Sequence, residues 1–280
     1  MQPGGHKTSL KNSVKLLYWE GAFAVAYETI CISATYLSGF AGEQGVPLEL
    51  VTWLHSLPWL GAVGQLGGLF ALYHAKNIKR YTLWVAFVAR MFWFLPLLFG
   101  AFLLWKAQET GVRFDAQSWF WLVLVVTFLS TLFAASSGIA WNSWMKTLIP
   151  ESIQGRFFGV RYRAVTTAVI ITHFVGAMIV NWKVAELPMG YAVLFIIGWL
   201  AAMLSSFLLA RVGEGRNMVQ STPTLKNLSF QESLALPWKS AAFRRVLLIA
   251  ALFNGCIQFA GPYFPYYFTK DLSIPMKTVA

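Results

Sequence analysis

The chain has 280 residues, of which 57% are hydrophobic and only 12% are charged. Soluble domains average about 45–50% apolar and about 25% charged residues, so this composition excludes an ordinary soluble enzyme. The net charge of +11 does not indicate nucleic-acid binding, because that function needs basic residues interleaved with exposed aromatics on one face, and the sequence lacks this pattern.

Long apolar runs recur along the whole chain. A hydrocarbon core about 30 Å thick needs roughly 20 apolar residues in helical form, and lipid offers no hydrogen-bond partner to a bare backbone. Seven such runs predict an all-α membrane protein, and they cover 17–41, 50–73, 81–105, 118–141, 163–182, 190–211 and 245–269. The polar residues 212–244 are a predicted cytoplasmic linker between a six-helix bundle, 1–211, and the first helix of a second bundle, 245–280.

The first run resembles a secretory signal only in its basic start at Lys7, Lys11 and Lys15. It is longer than the apolar stretch of a signal and contains Glu20 and Glu28, so we predict a span that the mature protein retains.

Basic residues gather on one side of the predicted spans. Sixteen of the 22 lie before span one, or in or directly beside the connections after spans two, four and six. They are Lys7, Lys11, Lys15, Lys76, Lys79, Arg80, Lys146, Arg156, Arg161, Arg163, Arg211, Arg216, Lys226, Lys239, Arg244 and Arg245. The positive-inside rule therefore predicts a multi-pass protein of the cell membrane with a cytoplasmic N-terminus. The same residues are expected to contact anionic membrane lipid.

Two predicted cytoplasmic loops resemble those of the major facilitator superfamily of secondary transporters. The loop after span four resembles that family's Pro-Glu-x-x-Arg-Gly-Arg pattern followed by a nearby Gly, with Gln154 in place of the first Arg. Its matching residues are Pro150, Glu151, Gly155, Arg156, Gly159 and Arg161. The loop after span two keeps the basic positions of the family signature in Lys76, Lys79 and Arg80. It has Ala71, Ala75 and Ile78 where the signature has Gly, Asp and Gly.

This resemblance implies two six-helix bundles that rock around a central site, with both loops acting as gating elements. The chain would contain the first bundle, the linker and one helix of the second. We therefore expect a truncated sequence, for which a separate C-terminal half would be a partner.

Three ionisable residues are predicted near the bilayer midplane, where charge is costly and usually functional. At about 1.5 Å of rise per residue, Glu28, Arg90 and His173 lie roughly 14–16 Å deep. In a transport mechanism Glu28 would be a proton carrier or a ligand for a cationic solute, Arg90 its counter-charge or an anion clamp, and His173 a relay. The alternative is structural: Glu28 pairs with Arg90, and His173 bonds between helices. Glu20 is expected to be solvated near the membrane surface.

Asn254 and Gln258 lie four residues apart in span seven and so share one helix face. They are candidates for a cavity wall, with interhelical hydrogen bonds as the equal alternative. In span two, the spacing of Gly64 and Gly68 predicts close helix packing.

The function predicted from these features is secondary transport of a small solute by alternating access, with proton coupling left open. A membrane-embedded enzyme is the alternative, but the four histidines at 6, 55, 74 and 173 are scattered. A seven-helix receptor ranks third, because its N-terminus would lie outside. Both cysteines, Cys31 and Cys256, fall inside spans, and we predict no metal and no cofactor.

Overall fold

The structure is a computed structural model that describes residues 4–111, 114–180, 182, 188–214, 238–260, 267–268, 270–272 and 274. All regular secondary structure within these ranges is helical, which confirms the all-α fold class. A π-helical turn, Glu28–Ile32, separates α1 from α2, and a 3₁₀ turn, Ala62–Gly64, separates α3 from α4. The α-helices are α1 (Gly4–Tyr27), α2 (Ala34–Gln44), α3 (Leu48–Gly61), α4 (Gln65–His74), α5 (Ile78–Met91), α6 (Phe94–Thr110), α7 (Ala116–Leu148), α8 (Glu151–Ile179), α9 (Met189–Ala210) and α10 (Ala241–Ala260).

Four stretches of the described chain are long and apolar enough to cross a membrane. They are Ile78–Thr110, which joins α5 and α6, and the helices α7, α8 and α9. These four coincide with predicted spans three to six. The protein therefore has the helices of a membrane protein with several spans.

The first two predicted spans differ from expectation because neither is one continuous α-helix. The π turn interrupts 17–41, and the 3₁₀ turn interrupts 50–73. The predicted seventh span, 245–269, corresponds to α10, but residues 261–266 and 269 lie outside the described part. Much of the predicted linker, 215–237, lies outside it as well.

Local sequence explains where several helices begin and end. Gly45 and Gly111, with φ of 71° and 66°, follow α2 and α6 in the left-handed conformation that glycine adopts without strain. Asn77 and Asp115 precede α5 and α7, and their side chains accept hydrogen bonds of 2.9 and 3.1 Å from backbone N–H groups three residues later. These are ordinary N-caps, which satisfy donors that the first helical turn leaves free.

Helix α4 and the 3₁₀ turn before it lie directly against α7. A methyl group at Gly64 would clash with the carbonyl oxygen of Leu132, and one at Gly68 would clash with that of Ser136. Only glycine allows the two backbones to approach so closely. The predicted packing role of Gly64 and Gly68 is confirmed.

Two buried clusters hold the bundle together at different levels. The first is rich in aromatic residues and includes Phe40, whose ring lies 4.9 Å from that of Trp119 and 5.3 Å from that of Tyr191, measured between centroids. The second includes Leu17 and Trp144. Along α7, the first cluster ends at Val126 and the second begins at Trp144. The stretch of α7 between them faces a cavity.

Every side chain of α10 that the structure describes is exposed. Val246, Ile249 and Phe253 have relative exposures of 65%, 66% and 66%. Apolar side chains this exposed are ordinary in a helix that faces lipid or another membrane helix, and unusual in water.

Candidate functional site

A cavity of about 540 Å³ lies between α1, α5, α7, α8 and the end of α9. Small apolar side chains form much of its wall, including Ala24, Ala86, Ala89 and Ala134. Its charged lining residues are Glu20, Glu28, Arg90 and Arg161. Such a combination of apolar wall and few convergent polar groups is typical of a small-molecule site.

The cavity adjoins the interruption between α1 and α2. Glu28, Thr29, Ile32 and Ser33 all line it. The backbone leaves the helical conformation at Ser33, where ψ is 149°, and its N–H donates to the Glu28 carbonyl at 2.7 Å. The Ser33 hydroxyl donates to the Thr29 carbonyl at 2.6 Å. Such π turns inside helices occur frequently at functional sites.

Glu20 is the centre of a buried ion cluster. Arg161 donates from Nη2 to Oε2 of Glu20 at 2.9 Å, and Arg90 Nη2 lies 3.6 Å from Oε1. The Ser205 hydroxyl donates to the same Oε1 at 3.2 Å. Arg161 also donates to the Leu17 carbonyl. The cluster therefore joins α1 to α5, α8 and α9.

This cluster corrects two sequence-based expectations. Glu20 is only 3% exposed, so the expectation that it is solvated at the surface is wrong. We expected Arg90 to be the counter-charge of Glu28. Its ion pair is instead with Glu20. Arg161, expected in a cytoplasmic gating loop, instead reaches into the bundle from the first part of α8. The axial position of a residue does not show which helices meet there, and for this reason the sequence did not indicate the contact.

Glu28 lines the cavity with an exposed side chain. Among the described residues its carboxylate forms no hydrogen bond and no ion pair. Arg90 and Arg161 attract its charge and Glu20 repels it, so the four ionisable groups form one electrostatic unit. Glu28 is therefore the acidic group of this unit that is free to bind something else.

A chain of hydroxyl groups crosses the cavity wall beside Glu28. The Tyr27 hydroxyl lies 3.0 Å from that of Ser130, and Ser130 donates to the Ala89 carbonyl at 2.7 Å. Because Ser130 has one hydrogen, Tyr27 is the donor in their shared hydrogen bond. Sequence reasoning left Ser130 unassigned and did not identify Tyr27.

His173 contacts Tyr36 near the start of α2. Its ring stacks on Tyr36 at 5.7 Å between centroids, and the Tyr36 hydroxyl donates to its carbonyl at 3.1 Å. Its Nδ1 is buried without a hydrogen-bond partner in the described part of the chain. The residues that line the cavity do not include it, so a direct relay to Glu28 has no geometric support.

The two polar candidates in α10 are only partly described. Asn254 is exposed, and its Nδ2 donates to the Ala250 carbonyl of the same helix at 2.8 Å. The cavity-lining residues do not include Asn254. The side chain of Gln258 lies outside the described residues.

The predicted gating loops lie at the ends of helices. Pro150 precedes α8 and Glu151 begins it, while Gln154 donates to the Ile149 carbonyl at 3.0 Å and so caps the end of α7. Lys79 Nζ lies 5.9 Å from the centre of the Trp144 ring. The remaining loop candidates are exposed: Lys76, Arg80, Gly155, Arg156 and Gly159. Their gating role stays a prediction.

Within the described ranges, no group of three or more His, Cys, Asp or Glu side chains is placed to hold a metal ion. Comparison with known proteins adds no family assignment, since no family model, no curated protein and no solved structure matches the chain.

Proposed function

We propose that the protein is a secondary transporter that moves a small solute across the cell membrane by alternating access, without chemically converting it. The observation that carries this proposal is the position of Glu28. Its carboxylate is unpaired among the described residues and lies in a cavity of about 540 Å³, next to a break in a helix of a multi-span bundle. Charged groups at membrane depth are costly and mark solute or ion pathways in such proteins.

The interrupted helix supports transport more than simple structural packing. Interrupted helices in transporters place backbone and side-chain ligands at the centre of the membrane. Here the ion cluster around Glu20 joins four helices on the N-terminal side of Glu28. That side is cytoplasmic in the predicted topology, so the cluster would be the closing contact at the cytoplasmic end of the cavity.

The loop resemblance extends this proposal to the major facilitator type. In that architecture α10 would be the first helix of a second bundle, and the other helices of that bundle would cover its exposed apolar side chains. Val246 and Ile249 are examples of side chains that these helices would bury. Proton coupling through Glu28 is compatible with the geometry and belongs to the same proposal.

Transport by vesicles that contain the purified chain tests the proposal. Four labelled solutes represent the four charge classes: glucose, alanine, ethanolamine as its ammonium ion, and lactate. We expect saturable uptake of at least one class above protein-free vesicles, and strong slowing of that uptake in Glu28→Gln. The matched control is Glu49→Gln, because Glu49 is an exposed residue in the first turn of α3. Protein that is inserted and folded but moves none of the four classes would overturn the proposal.

A further inference from the structure

Most hydroxyl groups of the cavity wall present oxygen lone pairs and not hydrogens. Of the six hydroxyl-bearing residues that line the cavity, five donate their one hydrogen to an acceptor within the protein, and the sixth is Thr29. A hydroxyl whose hydrogen is used internally remains able to accept a hydrogen bond. The five donations are Tyr27 to Ser130, Ser130 to the Ala89 carbonyl, Thr131 to the Thr127 carbonyl, Ser137 to the Thr82 carbonyl and Ser33 to the Thr29 carbonyl.

The charged groups of the wall differ in whether they have partners within the protein. Arg90 contacts Ser206 through Nη1, at 2.8 Å, and Glu20 through Nη2. Arg161 donates to the Leu17 carbonyl and to Glu20. Each terminal nitrogen of the two guanidinium groups thus has one protein partner. The Glu28 carboxylate has no partner among the described residues, so it is the charged group of the wall with no partner of its own.

The body of the cavity is apolar and includes one indole ring. Trp141 lines the wall together with Val25 and the alanines named above. An indole ring attracts cations through its π face, although Arg161 already lies 4.8 Å from the centre of this ring. A compact apolar body with a positively charged donor group complements these surfaces.

We propose that the cavity binds a small organic monocation that has an ammonium group with N–H hydrogens, and that Glu28 is the counter-charge of this ammonium. The inference rests on the proposed transport function and narrows its solute class. The N–H hydrogens would bond to Glu28 and to the hydroxyl oxygens, and the carbon chain would lie against the apolar wall.

Calorimetric binding to the purified chain in detergent tests this assignment with probes of similar size. We expect butylammonium to bind, and butan-1-ol, its neutral counterpart, to bind at least about tenfold more weakly. Tetramethylammonium has the charge but no N–H hydrogens, and is expected to bind more weakly than butylammonium. Equal or tighter binding of butan-1-ol or of the anion butyrate would overturn the proposal.

Variants locate the binding. Glu28→Gln is expected to weaken butylammonium binding at least about tenfold, whereas Glu49→Gln leaves it unchanged. If Glu28→Gln does not elute as a single species in gel filtration, Glu28→Asp replaces it. Glu28→Asp keeps the negative charge on a shorter side chain. It should therefore weaken the binding of butylammonium and leave the binding of butan-1-ol unchanged. Unchanged butylammonium affinity in the folded variant would overturn the proposal.

The two proposals fail in different ways. Uptake of only glucose or lactate in the vesicle experiment would support transport and contradict the ammonium site. Butylammonium binding that requires Glu28, without uptake of any of the four solutes, would support the site and contradict transport.

Discussion

Arg161 in α8 contacts Glu20 in α1 although 141 positions separate them in the sequence, with Nη2 2.9 Å from Oε2. Gly21 lies beside this pair, and a methyl group there would be 2.8 Å from the Arg161 guanidinium carbon. Because Gly21 has no side chain, it leaves room beside Glu20 for the guanidinium group of Arg161. Several testable properties of the bundle depend on this arrangement.

Removal of Arg161 is expected to destabilise the bundle. Breaking a buried ion pair costs about 3–5 kcal/mol because the remaining charge is left without its partner. Arg90 remains beside Glu20, so we expect Arg161→Gln to lower the free energy of unfolding by about 3 kcal/mol. Chemical unfolding in detergent micelles measures the change, with the exposed Arg163→Gln as control. The double variant Arg161→Gln/Glu20→Gln completes a thermodynamic cycle. If its loss of unfolding free energy equals the sum of the losses in the two single variants, the pair is not coupled.

Gly21→Ala is expected to act through the same contact. The added methyl group displaces a flexible side chain and not backbone, so we expect a loss of about 1–3 kcal/mol. In the Arg161→Gln background the loss should shrink, because the shorter side chain no longer reaches the methyl group. The same unfolding experiment measures both. An equal loss in the two backgrounds would contradict the contact.

Gly64→Ala is expected to cost more than Gly21→Ala. The methyl group would clash with the carbonyl oxygen of Leu132. The backbone of α7 can move away from this methyl group only if α4 and α7 separate. We expect a loss at or above the upper end of the 1–3 kcal/mol range for overpacking, roughly 3 kcal/mol. Gly159→Ala is the control, since nothing lies within 4 Å of its added methyl group. That variant should gain about 0.8–1.0 kcal/mol of helix propensity. A tolerated Gly64→Ala would contradict the close approach.

Asp115 gives the fold a pH-dependent contribution outside the membrane. Hydrogen bonds from the Ser118 side chain and backbone hold the pKa of this N-cap carboxyl below its ordinary value. Its stabilising effect is therefore present above the ordinary pKa of about 3.9 and is lost as pH falls through the lowered value. Asp115→Ala should cost about 1 kcal/mol at neutral pH. The cost should vanish at low pH, and a constant difference across the pH range would exclude the carboxylate as its cause.

Epitope tags test the predicted orientation. A tag in the connection 75–77, between α4 and α5, should be on the cytoplasmic side, and a tag in 111–115, between α6 and α7, should be outside. The reason is the concentration of basic residues in the first connection. Antibody access in intact and permeabilised cells measures it. Both tags on one side would contradict the topology on which the transport proposal depends.

The fold was predictable where the sequence signal is local. The apolar stretches that became α7, α8 and α9 are long and continuous, so length and composition were sufficient. Close helix packing at Gly64 was predictable for a similar reason, because the absence of a side chain shows directly in the sequence. The sequence did not show that the partner is α7. The breaks at Glu28 and Ala62 were not predicted. At both positions the backbone hydrogen-bond pattern changes, but the hydropathy of the sequence does not.

The candidate site was predictable only in part, because its contacts join distant segments. Glu28 and Arg90 were identified from their cost in lipid, and both line the cavity. Glu20 was misplaced because its depth was counted along its own helix, without the arginines that surround it. The opposite charges of Glu20 and Arg161 at one predicted membrane level were the signal that could have revealed the pair.

The π turn at Glu28–Ile32 also has a mechanical consequence. Because the regular hydrogen-bond ladder already ends there, a tilt of α2 about Ser33 would not break an intact α-helical turn, but it would have to carry Phe40 against or away from Trp119 and Tyr191. The ionic cluster anchors α1 below that pivot and leaves α2 unconstrained by it. In the proposed transport mechanism, α1 would stay fixed by its ion cluster while α2 moves, and the Glu28 carboxylate would lie at the joint between them.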